Sequence, residues 1–167
     1  MTRVCLVGKS EVNLQYELLS RETAREALST YDIREPYENA VGVETVSLGA
    51  AVALLNDLDW YLVRFVDEAM VLEPSVSDEE WLSRGLAAAV RDDEVAPDET
   101  GRFLKLYGLE NPDPGEDADG ESTGSDPPRR LVEPMYVTRT GSDLPTYDLR
   151  EVEETLVERV TESEFGA

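Results

Sequence analysis

Residues 110–128, ENPDPGEDADGESTGSDPP, constrain this chain more than any other stretch. They hold four prolines, three glycines, seven acids, no basic residue and no large apolar side chain. Such a segment buries too little apolar surface to offset its ordering entropy, so the sequence predicts a self-repelling linker. Any core must therefore come from residues 1–109 and 129–167. We expect a compact domain over 1–109, an acidic flexible linker over 110–128 and a C-terminal strand–helix segment over 129–167.

The remaining composition excludes several chemistries. The 167 residues include no histidine and one cysteine, Cys5. Imidazole catalysis, histidine metal sites, an intrachain disulfide and multi-cysteine zinc sites are thereby ruled out. No cofactor or metal is expected. Mid-strand, Cys5 reads as a buried, inert thiol, and a lone cysteine suits a reducing compartment.

Charge says more about solvent than about partners. The 37 acids and 15 bases give a net charge of −22. Thirteen of the bases are arginine, with Lys9 and Lys105 the two lysines. A charge of this size destabilises a compact state in dilute buffer. Above molar salt the Debye length falls to roughly 3 Å and the repulsion is screened. Scarce lysine agrees, because its apolar stem associates in high salt. The sequence thus suits a salt-rich cytoplasm. No apolar run approaches the length of a membrane helix, and the start MTRVCLVGKSE lacks the pattern of a secretory signal.

The expected elements alternate. TRVCLV (2–7) reads as a strand closed by Gly8. Residues 13–31 read as one long helix through Tyr16, Leu19, Thr23, Ala27 and Tyr31; strand alternation at Leu14, Tyr16 and Leu18, or a shorter helix capped by Ser20, are the alternatives. VGVETVS (41–47) reads as a strand, with Ser47 capping an apolar helix over Leu48–Leu58. WYLVRFV (60–66) reads as a central strand, Asp67–Glu68 as a turn and Ala69–Leu72 as its partner. Ser77 and Glu80 form a capping box for a helix burying Trp81, Leu82, Leu86, Ala89 and Val90. Pro97 opens another helix, with Phe103, Leu104 and Tyr107 inward and Gly108 at its end. Leu131–Arg139 reads as an edge strand broken by Pro134. Asp148 caps an amphipathic helix over 148–160, with Leu149, Val152, Leu156 and Val160 in a stripe that needs a surface. The fold class is α/β, a small mixed sheet with flanking helices; α+β is the alternative if 13–19 is a strand.

Few residues point to chemistry. Gly8-Lys9-Ser10 lacks the glycine five positions upstream that a phosphate loop needs. Asp117–Glu121 fails the calcium-loop pattern at its sixth and twelfth positions. Two strand ends lead to helix N-termini, at Lys9-Ser10 and at Ser47-Gly49, and a small anion could sit there. Arg64, inside an apolar strand, would need Glu44 or Asp67 as its partner or would bind an anion. Arg21, Arg25, Arg34 and Arg64 would have to converge for a nucleic-acid role, which is disfavoured.

The segments YELLSRETAREAL (16–28), VSLGAAVALLNDLDWYLVRFVDEA (46–69) and TGRFLKLYGL (100–109) resemble a family of small uncharacterised haloarchaeal proteins with a domain of unknown function. The resemblance covers about residues 1–109. It implies a halophilic origin and carries no catalytic residue, cofactor or activity. The sequence expectation is a non-enzymatic binding or regulatory protein that uses the 148–160 helix for protein contacts. The alternatives are an anion sensor or small enzyme at the two strand ends, and then a nucleic-acid-associated protein.

Overall fold

The computed structural model describes residues 1–110, 129–139 and 154–165. The expected linker lies outside them apart from Glu110, as do residues 148–153. The chain runs β1 (Thr2–Gly8), α1 (Leu14–Leu19), α2 (Glu22–Leu28), β2 (Ala40–Thr45), α3 (Leu48–Asp57), α4 (Asp59–Phe65), β3 (Val66–Leu72), β4 (Trp81–Ser83) and α5 (Arg84–Arg91). A 3-10 turn (Pro97–Glu99), β5 (Phe103–Glu110), β6 (Arg130–Thr138), β7 (Glu154–Arg159) and α6 (Glu162–Phe165) follow.

One mixed seven-stranded sheet, a half-barrel in shape, holds the strands in the order β2-β1-β3-β4-β7-β5-β6. Every pairing is antiparallel except β4 with β7. The α/β expectation holds, as do the strand at 2–7, the strand in 41–47 and the edge strand carrying Pro134. Proline is tolerated on an edge because it has no ladder donor to offer.

Side-chain alternation sorts the sheet into two faces. Val4 and Leu6 of β1, Val41 and Val43 of β2, Val71 and Leu82 join the helices in the main core. Leu104, Leu106, Val132 and Val157 form a second cluster on β5, β6 and β7. Cys5, Ala40, Met70, Leu109 and Leu156 form a third, on the other face of the sheet.

Several expectations need correction. Residues 60–65 lie in a helix, α4, and Val66 opens β3, so 60–66 is not a central strand. Tyr61 and Leu62 are buried while Trp60 and Val63 are exposed, as on a helix with one face against the core. The β3 strand starts at Val66, so Asp67–Glu68 is no turn. The single helix over 13–31 is two helices that part at Ser20–Arg21, and residues 13–19 contain no strand. Ser77 does accept hydrogen bonds from the Glu79 and Glu80 amides, but no helix follows it. Trp81–Ser83 pairs as β4 and the helix starts at Ser83, whose Oγ accepts from the Leu86 amide.

The helix expected after Pro97 is a 3-10 turn of three residues followed by β5. Leu104 and Leu106 alternate with Phe103, Lys105 and Tyr107, and pairing to β6 and β7 decides the conformation. Residues 154–159 of the expected amphipathic helix form β7. Leu156 and Val157 are adjacent and both buried, as a strand covered on both faces requires.

Candidate functional site

The segment between β1 and α1 is tied down by Asn39. Its backbone φ of 58° lies in the left-handed region, which asparagine tolerates better than most residues. Its carbonyl accepts from the Gly8 amide, its Oδ1 from the Leu14 amide, and its Nδ2 donates to the Lys9 carbonyl. The Lys9 amide donates to the Phe65 carbonyl at 3.0 Å and its ammonium to the Val63 carbonyl at 3.3 Å. Ser10 is exposed beside it.

Ser47 caps α3 as expected, its Oγ accepting from the Ala50 amide at 3.1 Å. Gly49 sits in the first turn of that helix. In the β1–β2 ladder Val7 opposes Ala40 and Thr2 opposes Thr45. Lys9-Ser10 and Ser47-Gly49 therefore lie at opposite ends of one antiparallel pair, roughly 20 Å apart along the strand. The structure does not bring them into one site.

Arg64 is exposed on α4 rather than held in a strand. Its guanidinium lies 3.8 Å from the Trp60 ring centre and donates to the Trp60 carbonyl. Arg21 reaches the same ring at 5.6 Å and pairs with Glu17. Arg34 instead bridges to Gly42 of β2.

Two polar constellations escaped the sequence reading. The first is buried in the sheet. Glu68 of β3 accepts from Lys105 Nζ at 2.6 Å and from the Tyr107 hydroxyl at 2.7 Å. Glu158 of β7, opposite both Trp81 and Lys105 in the ladders, is 1% exposed. Among the described residues no donor reaches its Oε2. Burial first, and then the Glu68 charge and the hydrogen bond between the two carboxyls, push Glu158 well above the ordinary range. Burial and the same two acids push the nearby Cys5 thiol up to about 12. Burial would lower Lys105, but Glu68 outweighs it and the ammonium is held more tightly than usual.

The second constellation borders an open cleft of about 810 Å³, to whose lining it contributes Arg139 and Arg159. Glu80 accepts from Arg139 Nη2 at 2.6 Å and from Arg159 Nε at 2.7 Å. Arg159 also donates to Thr100 Oγ1 at 2.8 Å. Two largely buried guanidiniums thus share one carboxylate. Burial would raise the Glu80 carboxyl, but the two arginines hold it below its ordinary value. Arg139 Nε is buried and has no acceptor among the described residues. Gly101 leaves the space beside these groups open; a Cβ there would lie 3.2 Å from Arg139 Nη1 and 3.7 Å from Arg159 Cζ. Exposed Arg102 completes the lining, with Asp98 and Glu99 at the rim.

A trace of both constellations is present in the sequence. Lys105 interrupts FLKLYGL, and Glu158-Arg159 interrupts LVERV. Charges inside short apolar runs must find partners. Nothing in the sequence alone says that Glu80 is the partner of Arg139 and Arg159.

Among the described residues, no helix is long and apolar enough to cross a membrane. Nor does any group of three or more cysteine or acidic side chains among them have the arrangement to hold a metal ion.

Residues 2–109 match a family of unknown function, DUF5804. The chain belongs to the DUF5804 family. No match arises among curated proteins or solved structures. The DUF5804 match contains Glu68, Glu80 and Lys105. It ends at Leu109, so Arg139, Glu158 and Arg159 come from the part of the chain beyond it.

Proposed function

We propose that this DUF5804 protein is a non-enzymatic, regulatory binding protein whose ligand is a small multivalent anion held in the Glu80–Arg139–Arg159 cleft. The carrying observation is the shared carboxylate. Glu80 is shared by two largely buried guanidiniums, and among the described residues Arg139 Nε has no acceptor. Guanidinium forks match the paired oxygens of phosphate and carboxylate. Arg102, Arg139 and Arg159 line the cleft together with Asp98 and Glu99. The surrounding acidity suits a concentrated-salt cytoplasm, in line with the resemblance to haloarchaeal proteins.

Calorimetric titration of the full chain with inorganic phosphate, at fixed ionic strength, tests this reading. Saturable binding that Arg102→Gln weakens and Arg139→Gln abolishes is the expected result. An absence of saturable heat with phosphate, sulfate and citrate would overturn it.

Protein contacts form a second reading, supported by three exposed apolar side chains on the packed helices α1 and α4. Tyr16 and Val63 are each 66% exposed and Trp60 is 47% exposed. The 148–160 helix no longer supports that reading, because its described part is β7.

A further inference from the structure

Another recess, of about 580 Å³, opens between β1, β2, the 30–37 segment and Trp81. Its size is that of a small-molecule site. Tyr31, Tyr37 and Trp81, each half-buried, line it together with Pro36. The loop that carries these rings is held against β2 by a two-way backbone bridge: the Arg34 amide donates to the Gly42 carbonyl at 2.9 Å, and the Gly42 amide donates back at 2.7 Å. Gly42 permits this close approach, since a Cβ there would lie 3.1 Å from the Pro36 ring.

The charges lining the recess nearly cancel. Arg3 is paired with Glu44 at 3.5 Å. Among the described residues Arg34 makes no ion pair, and Asp32 and Glu35 stand near it on the rim. The recess therefore offers hydrogen-bond donors and acceptors without a dominant sign. Flat walls favour a flat ligand by stacking, and a rim of both kinds favours a ring edge that both donates and accepts.

We infer that this recess is a second ligand site, distinct from the arginine cleft, and that it takes an uncharged planar heteroaromatic ring of the nucleobase class between Tyr37 and Trp81. The inference does not rest on the anion reading, because adenosine, the probe chosen, carries no phosphate.

The chain has two tryptophans, so Trp60→Phe leaves Trp81 as the single indole reporter. Adenosine titrated into this full-length variant should change Trp81 emission saturably. Adding Tyr37→Ala should weaken binding roughly tenfold or more through the lost stacking surface. The exposed Arg34→Ala change, which leaves the core untouched, should weaken it several-fold. Arg139→Gln should leave it unaltered. An emission change that fails to saturate up to the solubility limit of adenosine would overturn the inference. So would a saturable change insensitive to both Tyr37→Ala and Arg34→Ala, or an equal response to inorganic phosphate alone. Loss of phosphate binding with retained adenosine binding would sink the anion reading and leave this one standing.

Discussion

Lys105 and Glu158 oppose each other across the β5–β7 ladder, yet the Lys105 ammonium goes to Glu68 of β3. Two buried carboxyls thus compete for one cation, and the Tyr107 hydroxyl sides with Glu68. Glu158 is left without the cation, and its carboxyl is held well above the ordinary range by burial first and then by the Glu68 charge.

The pH dependence of stability follows from that choice. The folded state holds the Glu158 proton more tightly than the unfolded chain, whose carboxyl has its ordinary value of 4.5. Its contribution is fully present below that value and is lost as pH rises toward the folded value. Glu158→Gln, neutral at every pH, should remove this loss. Urea unfolding should find it more stable than the natural chain at pH 8, with the gap narrowing toward pH 5. A gap that stays constant with pH would contradict the raised value of Glu158.

Cys5 should be chemically silent in the native state. It is fully buried, and its thiol is pushed up to about 12. The thiolate is the reactive form. Iodoacetamide should therefore leave the folded chain unmodified at neutral pH and label it fully in denaturant, as read by intact mass.

Glu80→Ala should leave Arg139 and Arg159 facing each other without their shared acid. Removing one partner from a buried ion pair costs about 3 kcal/mol, a loss that denaturant unfolding would resolve. The effect should depend on pH. Because the arginines hold Glu80 below 4.5, its contribution is present above that value and fades as pH falls through the folded value. At sufficiently acid pH the variant and the natural chain should converge.

A chain ending at Glu110 should fail to fold. It would lack β7, which lies between β4 and β5, and β6, which covers the far edge of β5. Leu104 and Leu106 would lose the partners of their buried cluster. Circular dichroism and gel filtration should show a disordered or aggregated product, whereas a native-like monomer would refute the expectation.

Legibility in the sequence follows the range of the forces involved. Local signals such as the Ser47 cap, the β-branched β1 and the edge proline Pro134 were readable because neighbours decide them. Ser77 shows the limit. Its amide bonds form as a cap would form them, but the helix does not, because residues 81–83 gain more by pairing with β3 and β7. Phe103–Leu109 satisfies a helical stripe and a strand alternation equally well on paper. Partners more than twenty residues away choose between them. The arginine cleft was hidden for the same reason, since Glu80, Thr100, Arg139 and Arg159 converge only once β7 is in place.

Among the described residues β4 and β7 form the one parallel pairing, and it sets an order of events during synthesis. Strand β7 occupies an interior place in the sheet but leaves the ribosome after β4, β5 and β6. Until it arrives, β4 and β5 both carry unpaired backbone edges, the kind of surface that invites pairing with other chains. Assembly of this part of the sheet must therefore wait for β7, and the nascent protein is most vulnerable in the interval before that strand slots home.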